Sequence, residues 1–187
     1  MIEESPPSLM ISASFDSTKT PLQELLSRAD KGALQLPDFQ RGWVWDDDRI
    51  RSLLASVSVS FPIGAVMLLQ TGGEHVRFKP RPLEGTRPDV RNVSPETLIL
   101  DGQQRLTSLY RALMSDAPVD TKDSKGKQIR RWYYIDMKKA VASEDDREEA
   151  VLSVPEEKLV KTFSGEIRYD ATTPENEYAS DLFPVNR

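Results

Sequence analysis

The segment Leu98-Ile99-Leu100-Asp101-Gly102-Gln103-Gln104-Arg105 does most to narrow the folds open to this chain. An apolar run ending in Asp-Gly reads as the end of a buried strand. Leu106, Leu109, Tyr110 and Leu113 then recur at helical spacing. The chain therefore passes from strand to helix across a polar turn. Free backbone N–H groups and the positive end of the helix dipole make such a helix start a ready anion site, and the Arg105 guanidinium fork suits a phosphate. Asp101 would repel a bare phosphate, so its presence makes chemical sense if it holds a metal ion, orients Arg105 or positions a water.

Around this turn the pattern predicts an α/β chain, an α+β mixed sheet with flanking helices. Residues 1–14 read as a lead-in segment or edge strand and residues 15–187 as one domain, cut short at its C-terminal end because Asp181 to Arg187 has apolar residues without a polar tail. Thr20 is the expected N-cap of a first helix, with Pro21 at its first position, Leu22, Leu25, Leu26 and Ala29 on one face and Gly32 at its end. Asp46 to Asp48 open a second helix with Ile50, Leu53, Leu54 and Val57 inward, and Phe61-Pro62 stop it. Ile63 to Leu69 is an apolar run of central-strand length, and Thr71-Gly72-Gly73 turns into a strand around Val76 to Lys79. Pro80 to Pro95 has no period and reads as a long mobile loop. Arg131 to Ile135 is an aromatic strand, and Glu144 to Glu149 an exposed helix or linker.

Composition removes several chemistries. With 187 residues, 38% hydrophobic, the chain can bury one full core. It has no cysteine, which excludes a disulfide framework, a thiolate nucleophile and cysteine-based metal sites. No apolar run reaches membrane-spanning length and the start is acidic, so the expectation is a cytoplasmic protein with no membrane partner. The net charge of −5 is uneven: from Arg77 to Arg131 there are 12 Lys+Arg against 7 Asp+Glu. Lys122, Lys125, Lys127, Arg130 and Arg131 are either a solvated loop or a surface that tracks a phosphate backbone.

Three motifs stand in order: Phe39-Gln40-Arg41-Gly42-Trp43-Val44-Trp45, then Phe61-Pro62-Ile63-Gly64, then the DGQQR pentapeptide Asp101 to Arg105. Together they resemble the GmrSD-type restriction endonuclease N-terminal domain family. The resemblance implies a fold related to the ParB and sulfiredoxin nucleotide-binding proteins. It implies an NTPase that uses magnesium and a nucleoside triphosphate (ATP, GTP or another) and couples hydrolysis to sensing of modified DNA in phage defence. A separate C-terminal nuclease domain or partner subunit is expected, since His75 is the only histidine and no HNH site is present. Sulfiredoxin chemistry is excluded by the missing cysteine. A non-catalytic switch module that grips a nucleotide or a DNA phosphate is the alternative.

Under that resemblance Asp101 binds magnesium, Gln103 and Gln104 contact phosphate oxygens or an attacking water, and Arg105 stabilises developing charge. Gln40, Arg41, Gly102 and Thr107 join Arg105 in holding the nucleotide. The competing reading of the same turn is a capped helix, with Asp101 satisfying N–H groups and Arg105 in a surface pair. Phe39, Trp43 and Trp45 alternate and so share a face if extended, either as core anchors or as a stacking surface for DNA and its modification. Asp46 to Asp48 are explained by capping, and His75 as a turn residue.

Overall fold

The computed structural model describes residues 16–73, 78–142 and 147–187. The expected lead-in at 1–14, His75 and the first part of the acidic run fall outside these residues. The elements run α1 (Leu22–Asp30), β1 (Leu34–Pro37), α2 (Asp47–Ser58), β2 (Met67–Gln70), β3 (Pro80–Arg81), a 3₁₀ turn (Pro88–Asn92), β4 (Thr97–Asp101) and α3 (Gln103–Leu113). They continue with β5 (Val119–Lys122), β6 (Gln128–Asp136), α4 (Met137–Ala142), α5 (Arg147–Ala150), β7 (Val151–Pro155), β8 (Leu159–Lys161), β9 (Ile167–Asp170), α6 (Pro174–Ala179) and β10 (Leu182–Pro184).

The fold is α+β with a mixed sheet and flanking helices. The first sheet has the order β2-β4-β1-β3, with β4 parallel to β1 and both outer strands antiparallel to their neighbours. In the second, the nine-residue β6 is the spine. It pairs with β7 along one side and with β5 and β10, end to end, along the other. A two-stranded β8–β9 hairpin stands apart.

Period two along β6 sends consecutive tyrosines to opposite faces. Tyr133 joins the main core with Val119, Val151 and the inner faces of α1, α2 and α3, while Tyr134 packs into a second cluster with Val154, Ala171 and Leu182. Leu106 and Leu109 of α3 are buried against Leu34 and Leu36 of β1 and Ile99 of β4 within the main cluster. Each such side chain contributes about 1.5–3 kcal/mol. Buried phenols tie the parts together: Tyr110 donates to Asp30 Oδ1 at 2.7 Å and Tyr133 to Asp47 Oδ1 at 2.9 Å. Burial, reinforced by these carboxylates, pushes both phenols far above their ordinary range, so they stay neutral donors. Asp46 caps α2 through the Arg49 N–H as its position predicts. Asp47 does more than compensate the dipole, because it also accepts from Ser153 of β7.

The structure corrects three expectations. Pro21, not Thr20, caps α1: its carbonyl accepts from the N–H groups of Glu24 and Leu25, and no side chain caps the helix. The apolar run at 63–69 does not make a central strand. Only Met67–Gln70 is extended, at the edge beside β4, with Met67 half exposed, while residues 63–66 run irregularly past α3. Apolar content alone does not report burial. The expected strand around 76–79 begins outside the described residues, which resume at Phe78; β3 follows at Pro80–Arg81.

Finally, residues 80–95 are held rather than loose. Leu83 and Val90 are buried, and the Gln35 amide, itself 1% exposed, donates to the carbonyls of Gly32 at 3.0 Å and Val93 at 2.8 Å. Among the described residues, no helix is long and apolar enough to cross a membrane. Replacing Gln35 by Leu keeps the volume and strands those two carbonyls. The expected loss is about 1–3 kcal/mol in urea unfolding, with faster protease cleavage between residues 82 and 95. Wild-type stability and cleavage in this variant would mean that the amide does not pin the segment.

Candidate functional site

The strand-to-helix switch is built on Gly102, whose φ of 92° is left-handed. A Cβ there would lie 3.0 Å from the Val66 side chain, so both backbone angle and space call for glycine. The first intrahelical bond runs from Leu106 N–H to the Gly102 carbonyl at 3.0 Å, and no side chain caps the helix. The N–H groups of Gln103, Gln104 and Arg105 therefore have no intrahelical acceptor. Asp101 therefore does not cap the helix, contrary to the capped-turn reading. The Asp101 side chain is 75% exposed and stands 3.9 Å from Arg105 Nη2, a long pair of little energetic weight.

Arg105 is positioned from the other side. Its Nη2 donates to the Ala65 carbonyl at 2.6 Å, and a Cβ on Gly64 would fall 2.5 Å from Nη1. Gly64 itself has φ of 91°. The irregular course of residues 63–66 thus makes a cradle in which one edge of the guanidinium rests on backbone. This explains why the Phe-Pro-Ile-Gly segment does not continue as strand.

The loop 39–45 forms the opposite wall. Gln40 Nε2 donates to the carbonyls of Ile99 at 2.7 Å and Leu100 at 2.9 Å. Gln103 Nε2 donates to the Arg41 carbonyl at 2.6 Å. Gln104 gives Nε2 to the Gly42 carbonyl at 3.2 Å and takes the Val44 N–H on Oε1 at 3.0 Å. From β3, Arg81 donates to the carbonyls of Gln40 and Arg41 and pairs with Glu84 at 2.8 Å, and Glu84 accepts the Trp43 N–H. The aperiodic loop is thereby held by side-chain amides in place of a strand partner.

Between these walls lies a pocket of about 410 Å³ lined by Phe39, Gln40, Arg41, Trp45 and residues 100–105. It brings together most of the residues singled out in the sequence: Asp101, Gly102, Gln103, Gln104, Arg105, Gln40, Arg41, Phe39 and Trp45. Two are placed elsewhere. Thr107 is fully buried beneath α3 and does not line the pocket. Trp43 packs against the core, donates Nε1 to Ser108 Oγ at 2.8 Å and lies under the Arg111 guanidinium, 4.6 Å from its ring centroid. It is an anchor, and Trp45 packs against the same core while also lining the pocket; Phe39 alone departs from them. Phe39 instead meets Phe78 edge-on at 5.1 Å and is 63% exposed at the pocket rim. Sequence reasoning passed over the roles of Phe78, Gly64, Arg81 and Glu84, Gly64 being named only within its motif. The first two lie in segments read as strand and the last two in a segment read as a loose loop.

A magnesium ion is compatible with this donor set on one condition. Among the described residues no group of three His, Asp or Glu side chains forms a metal cage, and Asp101 is the one carboxylate in the pocket wall. Magnesium commonly takes one or two protein carboxylates and completes its octahedron with water and substrate phosphates. Asp101 therefore suits an ion that arrives with a phosphate ligand, not a resident one.

The family model described as "GmrSD restriction endonuclease, N-terminal domain" matches residues 22–183. An uncharacterized protein of Methanocaldococcus jannaschii, MJ0686, is 34% identical over 137 residues, covering 71% of this chain and 22% of that protein. The chain thus spans about a fifth of the length of this curated relative. No solved structure matches it.

The cradle makes a measurable prediction. Gly64→Ala should cost about 1–2 kcal/mol from the left-handed φ and push Arg105 off the Ala65 carbonyl. Combining it with Arg105→Ala removes the clash, so thermal unfolding in a double-mutant cycle should show coupling between the two sites. Strict additivity would mean that Gly64 does not position Arg105.

Proposed function

The chain belongs to the GmrSD restriction endonuclease N-terminal domain family, and from that premise we propose that the Asp101–Arg105 turn binds the phosphates of a nucleoside triphosphate within a restriction module. One observation carries the reading: an uncapped helix start and a backbone-held arginine face a pocket of about 410 Å³, a size suited to a nucleotide. Backbone N–H groups at the start of α3 take phosphate oxygens, Arg105 neutralises their charge, and Gly102 lets the backbone come close. Arg41 adds a second cation from the opposite wall. Asp101 holds a magnesium ion that accompanies the nucleotide and supplies charge neutralisation across its phosphates when bound. Hydrolysis follows from a water placed in line with the terminal phosphate, with Arg105 bearing the charge that develops there. ParB-like architecture is not needed for this reading, which rests on the turn alone.

In the whole protein this module works with a nuclease domain or partner subunit and with DNA carrying a modification. Phe39 and Trp45, with Phe78 at the rim, are the aromatic surface available for stacking. Gln103 and Gln104 favour a second reading, in which the turn is a switch without turnover. Both amides are engaged with the loop 41–44, so in this arrangement they organise the pocket rather than aim a water.

Phosphate release from ATP, GTP, CTP and UTP with magnesium, alongside equilibrium binding of the same nucleotides, separates these readings. Turnover should fall about tenfold or more in Asp101→Ala and Arg105→Ala while circular dichroism stays native. Tight binding without release selects the switch. Absence of nucleotide binding in the folded wild type refutes both.

A further inference from the structure

The β5–β6 hairpin lies beside the pocket and carries charge that the site does not use. From Lys122 to Arg131 the sequence holds five Lys and Arg and a single acid, Asp123, in a chain whose net charge is −5. That acid is engaged locally: Asp123 Oδ1 accepts the N–H groups of Lys125 and Lys127, each at 2.9 Å. The Asp123 N–H closes on the Lys127 carbonyl at 3.0 Å, and Gly126 supplies the left-handed φ of 81° that the turn demands. The tip is thus a rigid presentation of lysines. Residues 124–128 are all exposed, and among the described residues Lys122, Lys125 and Lys127 take part in no ion pair. Arg130, by contrast, is neutralised by Asp120 and Glu156.

The hairpin is also tied to the pocket. Thr121 Oγ1 donates to the Trp45 carbonyl at 2.8 Å, which fastens β5 to the loop that forms the pocket wall.

We propose that the β5–β6 hairpin is a docking surface for the phosphate backbone of duplex DNA, with Lys122, Lys125 and Lys127 as the contacting cations. The class of partner follows from the shape and the charge together. Unpaired ammonium groups on a rigid tip suit a regular polyanion, whose counterions they displace. A two-stranded ribbon is an element that the major groove of B-form DNA admits, whereas the corresponding groove of an A-form RNA duplex is too narrow for side chains to read. The inference does not rest on nucleoside triphosphate binding, and none is present in its test.

The experiment is fluorescence anisotropy of a labelled DNA duplex titrated with the 187-residue chain between about 50 and about 200 mM salt. The wild type should bind with a salt-dependent affinity. In the Lys122→Ala/Lys125→Ala/Lys127→Ala variant the log–log salt slope should fall by about 2–3, and affinity at the low-salt end about tenfold or more. A control variant, Lys31→Ala/Lys161→Ala, neutralises exposed lysines outside the hairpin and should keep the wild-type slope. Thermal melts confirm that both variants fold. The proposal is overturned if the triple variant keeps the wild-type slope and affinity, if the control loses as much, or if the wild type does not bind DNA at low salt. Equal binding of an RNA duplex would overturn the groove assignment and with it the choice of partner.

Discussion

The exchange of hydrogen bonds between glutamine side chains and the loop 40–44 is the constraint on which the site depends. That loop has no period and no strand partner, so its carbonyls and N–H groups require other partners. Gln40 reaches across to the carbonyls of Ile99 and Leu100, and Gln103 and Gln104 reach back to Arg41, Gly42 and Val44. Gln104 imitates a strand residue, donating and accepting through its amide. Each bond contributes about 0.5–1.5 kcal/mol net, but together they fix one loop geometry where the backbone alone would allow many. Glutamine suits this task because it carries both a donor and an acceptor on a reach that a serine or asparagine lacks. A carboxylate at position 104 would keep the acceptor for Val44 and lose the donor for Gly42.

The parts of the fold that were legible in the sequence are those with strong local signals. The helices at 22–30, 47–58 and 103–113, the aromatic strand and the turn at Asp101-Gly102 follow from apolar spacing and from Asp, Pro and Gly at their boundaries. What failed was decided by long-range contacts. The order of segment 80–95 depends on Gln35, fifty-eight residues from its acceptor at Val93, and a single polar side chain between apolar neighbours gives no sign of that role. The run at 63–69 was apolar enough for a central strand. The cradle for Arg105 and the position at the sheet edge are tertiary facts, and they override strand propensity.

The candidate site was legible at the level of residue choice and less so at the level of role. Asp101, Arg105, Gln40 and Arg41 meet around one pocket even though some sixty residues separate the two pairs. Thr107 failed because it lies a full turn beyond Gln103, away from the helix start that the pocket faces, and is completely buried in α3. Trp43 took the other of its two expected roles. It packs with Trp45 against the main core as an anchor. Its indole N–H finds Ser108 inside, which a large aromatic with one donor does readily.

The distribution of charge gives the fold its division of labour. In the pocket, Arg105 is held by backbone, resting on the Ala65 carbonyl, while behind the wall Arg81, paired with Glu84, braces the carbonyls of Gln40 and Arg41. A guanidinium fixed this way keeps its charge and loses little further entropy on pairing with an anion. On the β5–β6 hairpin the order is reversed. The backbone of the tip is fixed by Asp123, and the lysine side chains stay free to follow a ligand along its length. The first arrangement favours a compact anion in one pose, and the second an extended one in many registers. The Thr121–Trp45 bond joins the two, fastening the loop at one to the strand that carries the other.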